Sequence, residues 1–244
     1  MAADVVDLRD FYRSALGQVA RRMIRRAIQR VWPDLNGMRL LGIGYATPFL
    51  SALSSETERT LAVMPASLGV LRWPAEGRNL VSLAEEGELP FADYSLDRVV
   101  LVHALETSEE TGALLKEIWR VLAGGGRVLI VAPNRRGIWA RLDRTPFGSG
   151  RPYTMSQLSQ LLRDEQFTPV GTDAALFIPP ATSRMMLRAA PAWERIGKRW
   201  FPTFAGVLLV EATKQIYAKP VAARAPRRRL VYVPATHGLS LSER

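Results

Sequence analysis

ELPFADYSLDRVVLVHALE, residues 88–106, leads through TSEETGA (107–113) into LLKEIWRVLAGGGRVLIVAPN (114–134). Two apolar runs stand out in it, DRVVLVH at 97–103 and RVLIVA at 127–132. Neither alternates with polar residues, as a strand with one wet face would. Both have the unbroken pattern of strands buried on both faces of a parallel sheet. Between them Leu114, Leu115, Ile118, Trp119 and Leu122 recur at helical spacing. Thr107 with Glu110 has the spacing of a capping box at the start of this helix, and Gly124, Gly125 and Gly126 stop it. A strand, a helix and a strand in this order predict a right-handed parallel crossover.

Upstream, MRLLGI (38–43), TLAVM (60–64) and NLVSL (79–83) are further short apolar runs. Downstream, Thr154 and Gln157 form a second capping box, opening the helix MSQLSQLLRDEQF. FTPVGTDAALFIPP and TFAGVLLVEATKQIYA are two more strand-like runs, separated by a basic, Trp-containing segment at 182–201. They are expected to pair as an antiparallel extension. Seven strands result, in a doubly wound, mostly parallel α/β sheet with an antiparallel C-terminal strand.

With 48% hydrophobic residues in 244, the chain can bury a sizeable core. It has no cysteine, which excludes disulfides, thiolate metal sites and a cysteine nucleophile. Its two histidines, His103 and His237, exclude a multi-histidine metal centre, and no metal is expected. The opening MAADVVDLRDFYRS is acidic and lacks the apolar core of a secretory signal, and no run approaches the roughly 20 apolar residues of a membrane span. A soluble, cytoplasmic protein is expected.

The net charge of +10 is unevenly placed. Residues 11–31 hold six arginines and no acid, and 219–244 hold six bases against Glu243, while 32–218 hold 20 bases and 19 acids. Three segments follow: an amphipathic basic helix at 1–35, a central domain at 36–218 and a basic tail at 219–244. In the first, Tyr12, Leu16, Val19, Met23, Ala27 and Val31 form an apolar stripe. The arginines are either an ordinary solvated face or, through Arg21, Arg22, Arg25, Arg26, Arg227, Arg228 and Arg229, a contact for a polyanion or a partner protein. The tail lacks the interleaved aromatics of a nucleic-acid module.

The 88–106 segment resembles the LPF-x-D-x-S-F-D-x-V motif of class I S-adenosylmethionine-dependent methyltransferases of the common small-molecule (type 11) group. Pro90, Phe91, Asp93, Ser95, Asp97 and Val99 match in register, and Leu96 replaces Phe. The following segment resembles the family's L-x-E-x-x-R-V-L-x-P-G-G. Glu117, Arg120, Val121, Leu122, Gly125 and Gly126 match, with Gly124 where Pro is usual. The resemblance spans roughly residues 36–217 and implies the Rossmann-like methyltransferase fold with S-adenosylmethionine as cofactor.

Carried over residue by residue, it places Gly42, Ile43, Gly44 and Tyr45 at the methionine part of the cofactor. Met64 and Pro65 fall at the ribose, Ala84 and Glu85 at the adenine, and His103 and Ala104 beside the methyl group. The glycine motif is incomplete, with Gly42 in place of its acid and Ala46 and Pro48 in place of two glycines, and Met64 replaces the acid that clamps the ribose. His103 either lines the cofactor pocket or serves as general base. A connection rich in Gly and Pro at 133–153 carries Arg135, Arg136, Arg141, Arg144 and Arg151, which would suit an anionic acceptor. The expected function is methyl transfer to a small acceptor. The alternative is a catalytically degenerate relative that binds a partner through its basic extensions. A nicotinamide-dependent oxidoreductase would need a third glycine and a later acid, which the chain lacks.

Overall fold

Alternate residues of the central strands point to opposite faces, and both faces are apolar. Leu40, Ala62, Met64, Val100, Val102, Leu129 and Val131 enter one core, while Leu41, Ile43, Val63, Val99, Leu101, Val128 and Ile130 enter the other. This two-sided burial explains the unbroken apolar runs. The computed structural model describes residues 4–215; the tail expected at 219–244, with Arg227, Arg228 and Arg229, lies outside them.

The strands are β1 (Arg39–Gly44), β2 (Arg59–Pro65), β3 (Val81–Ala84), β4 (Leu96–Val102), β5 (Leu122–Pro133), β6 (Phe167–Ala175) and β7 (Val207–Lys214), in the order β3-β2-β1-β4-β5-β7-β6. The first five pair in parallel, and β7 lies antiparallel between β5 and β6. The helices are α1 (Val5–Arg13), α2 (Ala15–Val31), α3 (Thr47–Leu50), α4 (Thr111–Val121), α5 (Met155–Asp164), α6 (Arg184–Arg188) and α7 (Ala190–Trp200). Residues from α1, α2 and α3 complete the first core, and residues from α4 and α5 the second.

The N-terminal stripe forms two helices. Ser14 ends α1 and caps α2, its Oγ accepting from the Gly17 N–H at 3.0 Å and donating to the Phe11 carbonyl at 2.6 Å. A Cβ on Gly17 would lie 1.9 Å from the Phe11 oxygen, so only glycine permits this close bend. Leu8, Tyr12, Met23, Ile24, Ala27 and Ile28 are buried against the sheet, whereas Val31 is only partly buried. Trp32 anchors the end of α2 by donating from Nε1 to Glu211 at 2.9 Å. Arg21, Arg22, Arg25 and Arg26 make no ion pair among the described residues, whereas Arg30 pairs with Asp173 at 2.8 Å.

One expected cap does not form. α4 begins at Thr111 with Glu110 at its N-cap, and Glu110 makes no side-chain cap bond. The hydroxyl of Thr107 donates instead to the Ala104 carbonyl at 3.2 Å. Residues 103–110 are held in an irregular turn, so the helix starts four residues beyond Thr107. The three glycines do not stop α4 either. It ends at Val121, and β5 takes over at Leu122, with the strand register slipping between Leu96 and Arg98. The Thr154–Gln157 capping box is present as expected.

The 88–106 and 114–134 segments are tied together by Arg120. Its guanidinium donates to Glu117, Asp93 and the carbonyls of Leu89 and Phe91, all within 3.0 Å. Glu117 in turn accepts from the Leu89 N–H at 2.9 Å. Asp97 clamps Arg39 through both carboxylate oxygens, joining β4 to β1, and this pairing holds its carboxyl below the usual carboxylate range. These contacts hold the amino ends of β1, β4 and β5 together.

Candidate active site at the carboxyl edge of the sheet

The chain leaves β1 toward β2 on one side, and β4 lies on the other. Open α/β sheets bind ligands at such a switch point, outside the carboxyl ends of the strands. Gly44 ends β1 in the left-handed region, with φ +79°, and a Cβ there would lie 2.5 Å from the Val102 carbonyl of β4. Gly42 and Ile43 are packed inside the protein, Gly42 against Leu50 and Ala46. Tyr45 is buried and stacks on Tyr12, ring centroids 5.7 Å apart.

Helix α1 crosses this edge. At one end the Val5 N–H donates to the Leu68 carbonyl beyond β2, at 3.0 Å. At the other, Tyr12 reaches His103, its hydroxyl 2.8 Å from Nε2. His103 Nδ1 lies 3.0 Å from Glu106 Oε1, and all three side chains are buried. The Glu106 carboxylate calls for a donor, so Nδ1 carries the proton and Nε2 accepts from Tyr12. His103 sits at φ +50°, a backbone strain of the kind that concentrates at functional sites. The second oxygen of Glu106 is buried without a partner. Burial, reinforced by the charge of Glu106, pushes the Tyr12 phenol well above its usual pKa, so it stays protonated.

Phe147 packs on His103 at 5.1 Å, and Phe11 packs on both Tyr12 (5.1 Å) and Phe147 (5.9 Å). Phe11 also lines a cavity of about 610 Å³, together with Leu16, Arg144, Pro146, Pro180 and Leu187. Asp7 and Asp143 join Arg144 there. The arginines of the 133–153 connection therefore do not converge on it. Arg135 is turned to the Pro152 carbonyl, and Arg136 lines a different cavity, beside α5 and β6.

A second opening at this edge, about 390 Å³, lies at the ends of β2 and β3. Ala66, Ser67, Glu85, Glu86, Glu88 and Glu109 line it, and Glu85 is exposed. Pro65 and Ala84 pair across the strand ends beside it, and Ala104 is buried at the end of β4. Met64 stands apart from the opening. It is fully buried in the first core, its sulfur 3.4 Å from the Leu71 N–H. Among the described residues no group of three or more metal-ligating side chains occurs.

The family model described as "Methyltransferase domain" matches residues 40–130, the stretch from β1 into β5. Over these residues the chain is similar to methyltransferase domains. A methyltransferase from Thermotoga maritima shares the fold, with a TM-score of 0.62, 17% identity, and coverage of 86% of this chain and 96% of the other. An uncharacterized protein of Mycobacterium tuberculosis is 30% identical over 118 residues, 46% of this chain and 41% of its own. The demethylmenaquinone methyltransferase of Thermus thermophilus is 28% identical over 131 residues, 52% of this chain and 59% of its own. The chain thus spans only two fifths to three fifths of the length of these curated relatives.

S-adenosylmethionine is the cofactor this similarity implies, and the residues present fit it at three places. The Gly44 turn brings backbone to the end of β1, the exposed Glu85 carboxylate faces the 390 Å³ opening, and the unpartnered Glu106 oxygen awaits a donor. Met64 supplies no ribose clamp. Changing it to glutamate restores no contact but buries a carboxylate in apolar surroundings. Met64→Glu is expected to lower stability by about 2–4 kcal/mol, read as a fall in melting temperature. An unchanged melt accompanied by tighter cofactor binding would show that position 64 faces the ligand after all.

Tyr12 and Glu106 had been legible only as a stripe residue and as the end of a motif. The His-x-x-Glu spacing at 103–106 is a sequence signal for the second; no local signal marks Tyr12, which lies 91 residues from His103.

Proposed function

We propose that the protein transfers a methyl group from S-adenosylmethionine to a small acceptor with an ionisable hydroxyl or amine, seated in the 610 Å³ cavity. The observation that carries this reading is the buried Tyr12–His103–Glu106 chain at the end of β4, in van der Waals continuity with that cavity through Phe11. One arginine against two aspartates in the lining favours a neutral or cationic acceptor over the anionic one expected from the arginine-rich connection.

The cofactor, when bound, supplies a methyl group on a positively charged sulfur. Gly42, Ile43, Gly44, Tyr45, Pro65, Ala84, Glu85, His103 and Ala104 are the residues that would hold it, with Met64 packed behind them. Glu85 would accept a hydrogen bond at the adenine end. Phe11, Leu16 and Pro146 exclude water from the acceptor. Phe11 separates Tyr12 from the cavity, so the relay requires Phe11 to give way to the acceptor, whose proton then passes to the Tyr12 oxygen as the phenolic proton moves to His103 Nε2. The resulting imidazolium is balanced by Glu106, which also fixes the ring tautomer. His103 thereby acts through Tyr12, since its own Nε2 is already engaged.

Calorimetric titration with S-adenosylmethionine and S-adenosylhomocysteine, alongside NAD, tests the reading. Binding of the first two and not the third is expected. Glu85→Ala should weaken S-adenosylhomocysteine about 5- to 150-fold, the worth of one charge-assisted hydrogen bond at about 1–3 kcal/mol. No binding of either sulfur compound would overturn the proposal, and an unchanged affinity in the variant would remove Glu85 from the site.

A further inference from the structure

Helix α7, APAWERIGKRW, has two faces of different character. Ala190 and Gly197 are buried, and Glu194 turns inward to accept from the Phe177 N–H at 2.9 Å. Lys198 fastens the same helix to Asp173 at 2.6 Å. The flank carrying Trp193, Ile196 and Trp200, at three- and four-residue spacing, faces outward. Trp200 is 68% exposed and Ile196 51%, and the chain continues into Phe201 and Phe204, 56% and 55% exposed. Met185 on the adjoining α6 is 78% exposed. Singly exposed apolar residues are ordinary, but six large ones within twenty residues are not.

The charges around this patch have one sign. Arg184, Arg188, Arg195 and Arg199 are all exposed beside it, and the one acid of α6 and α7, Glu194, is spent on Phe177. Arg199 lies over the Trp200 ring at 5.7 Å. A second copy of the chain would bring the same positive face. The C-terminal segment 216–244, with six basic residues against Glu243, would likewise be repelled. The complementary occupant is anionic and offers an apolar layer beneath its charge. Nucleic acid would answer the arginines and stack on the tryptophans, but has no use for Met185 and Ile196.

We infer that α6, α7 and the 201–204 turn form a docking surface for an anionic lipid bilayer, with the Trp and Phe side chains inserted at the headgroup level and the arginines against lipid phosphates. This is the residue pattern of a helix lying in the interface plane, with tryptophans at the boundary and bases at the headgroups. It places the protein on a membrane surface without crossing it, since among the described residues no helix is long and apolar enough to span one. The inference does not depend on the methyl-transfer reading.

The full chain is sedimented with vesicles of pure phosphatidylcholine and of equimolar phosphatidylcholine and phosphatidylglycerol. Binding to the anionic vesicles alone is expected, with a blue shift in tryptophan emission. The double variant Ile196→Glu with Trp200→Glu should lower the partition coefficient at least about tenfold. Its melting temperature should be unchanged, because both side chains are exposed. Arg195→Glu with Arg199→Glu should weaken binding comparably and flatten its salt dependence. Equal sedimentation of the variants and the parent would overturn the proposal, as would a parent chain that stays in the supernatant. So would binding lost on shortening the chain after Gln215 and kept in the Ile196/Trp200 variant. Poly(U) binding without vesicle binding would assign the patch to RNA instead, and a dimer that the double variant dissociates would assign it to a second copy.

Discussion

Tyr12→Phe is expected to lower kcat about 10²- to 10³-fold while leaving the binding of S-adenosylhomocysteine within about threefold, the usual worth of a positioned proton-transfer group. The substitution removes a single oxygen. The ring, and with it the stacking on Tyr45 and the edge contacts to Phe11 and Phe49, remains in place. His103→Asn should cost a comparable factor, and the double variant little more, since the two residues act as one chain. The phenol is held protonated by burial and by the charge of Glu106, so the rate should show no break near the ordinary tyrosine pKa of about 10. Kinetics on the purified variants with a working acceptor decide this. A Tyr12→Phe enzyme with unaltered kcat would leave His103 and its partners as packing alone.

Ile24→Asp should cost the protein about 4–5 kcal/mol, a large share of the 5–15 kcal/mol that holds a typical domain together. Ile24 has no exposed surface and lies in the core shared by α2 and the sheet. Its burial is worth about 1.5–3 kcal/mol, and the new carboxylate would have no partner there. A melt lowered by about 10–20 °C, or a chain recovered unfolded, is the expected circular-dichroism result. Gln29→Ala, on the exposed side of the same helix, should leave the melt unchanged. A fully stable Ile24→Asp protein would mean that α1 and α2 are detachable from the sheet, and with them the Tyr12–His103 contact.

The strands, their approximate limits and their mostly parallel direction could be read along the chain, because a strand buried on both faces must be apolar at consecutive positions. The runs at 97–103 and 127–132 became β4 and β5 for that reason. The Thr154–Gln157 cap was equally legible, being a local arrangement of neighbours. The Thr107–Glu110 cap had the same signature and failed. His103 at the end of β4 adopts a left-handed backbone and reaches Tyr12 and Glu106, which holds the following residues out of helix.

The Gly44 turn and the place of Glu85 also followed from linear position, since Gly44 ends β1 and Glu85 directly follows β3. What linear position could not convey is what faces them. Whether Met64 meets a ligand or a core depends on what covers that face of the sheet, and Met64 enters the core to which α1, α2 and α3 contribute from other parts of the chain. The stripe from Tyr12 to Ile28 declared that the N-terminal helices have a buried side, as its spacing requires, but not what that side covers. Hydrophobic spacing specifies which face is removed from water, whereas the partner of that face is chosen by packing among elements distant in sequence. The proposed role of Tyr12 therefore comes from the docking of α1 across the sheet edge, where its hydroxyl, otherwise one more polar tip on an apolar stripe, meets the Nε2 of His103.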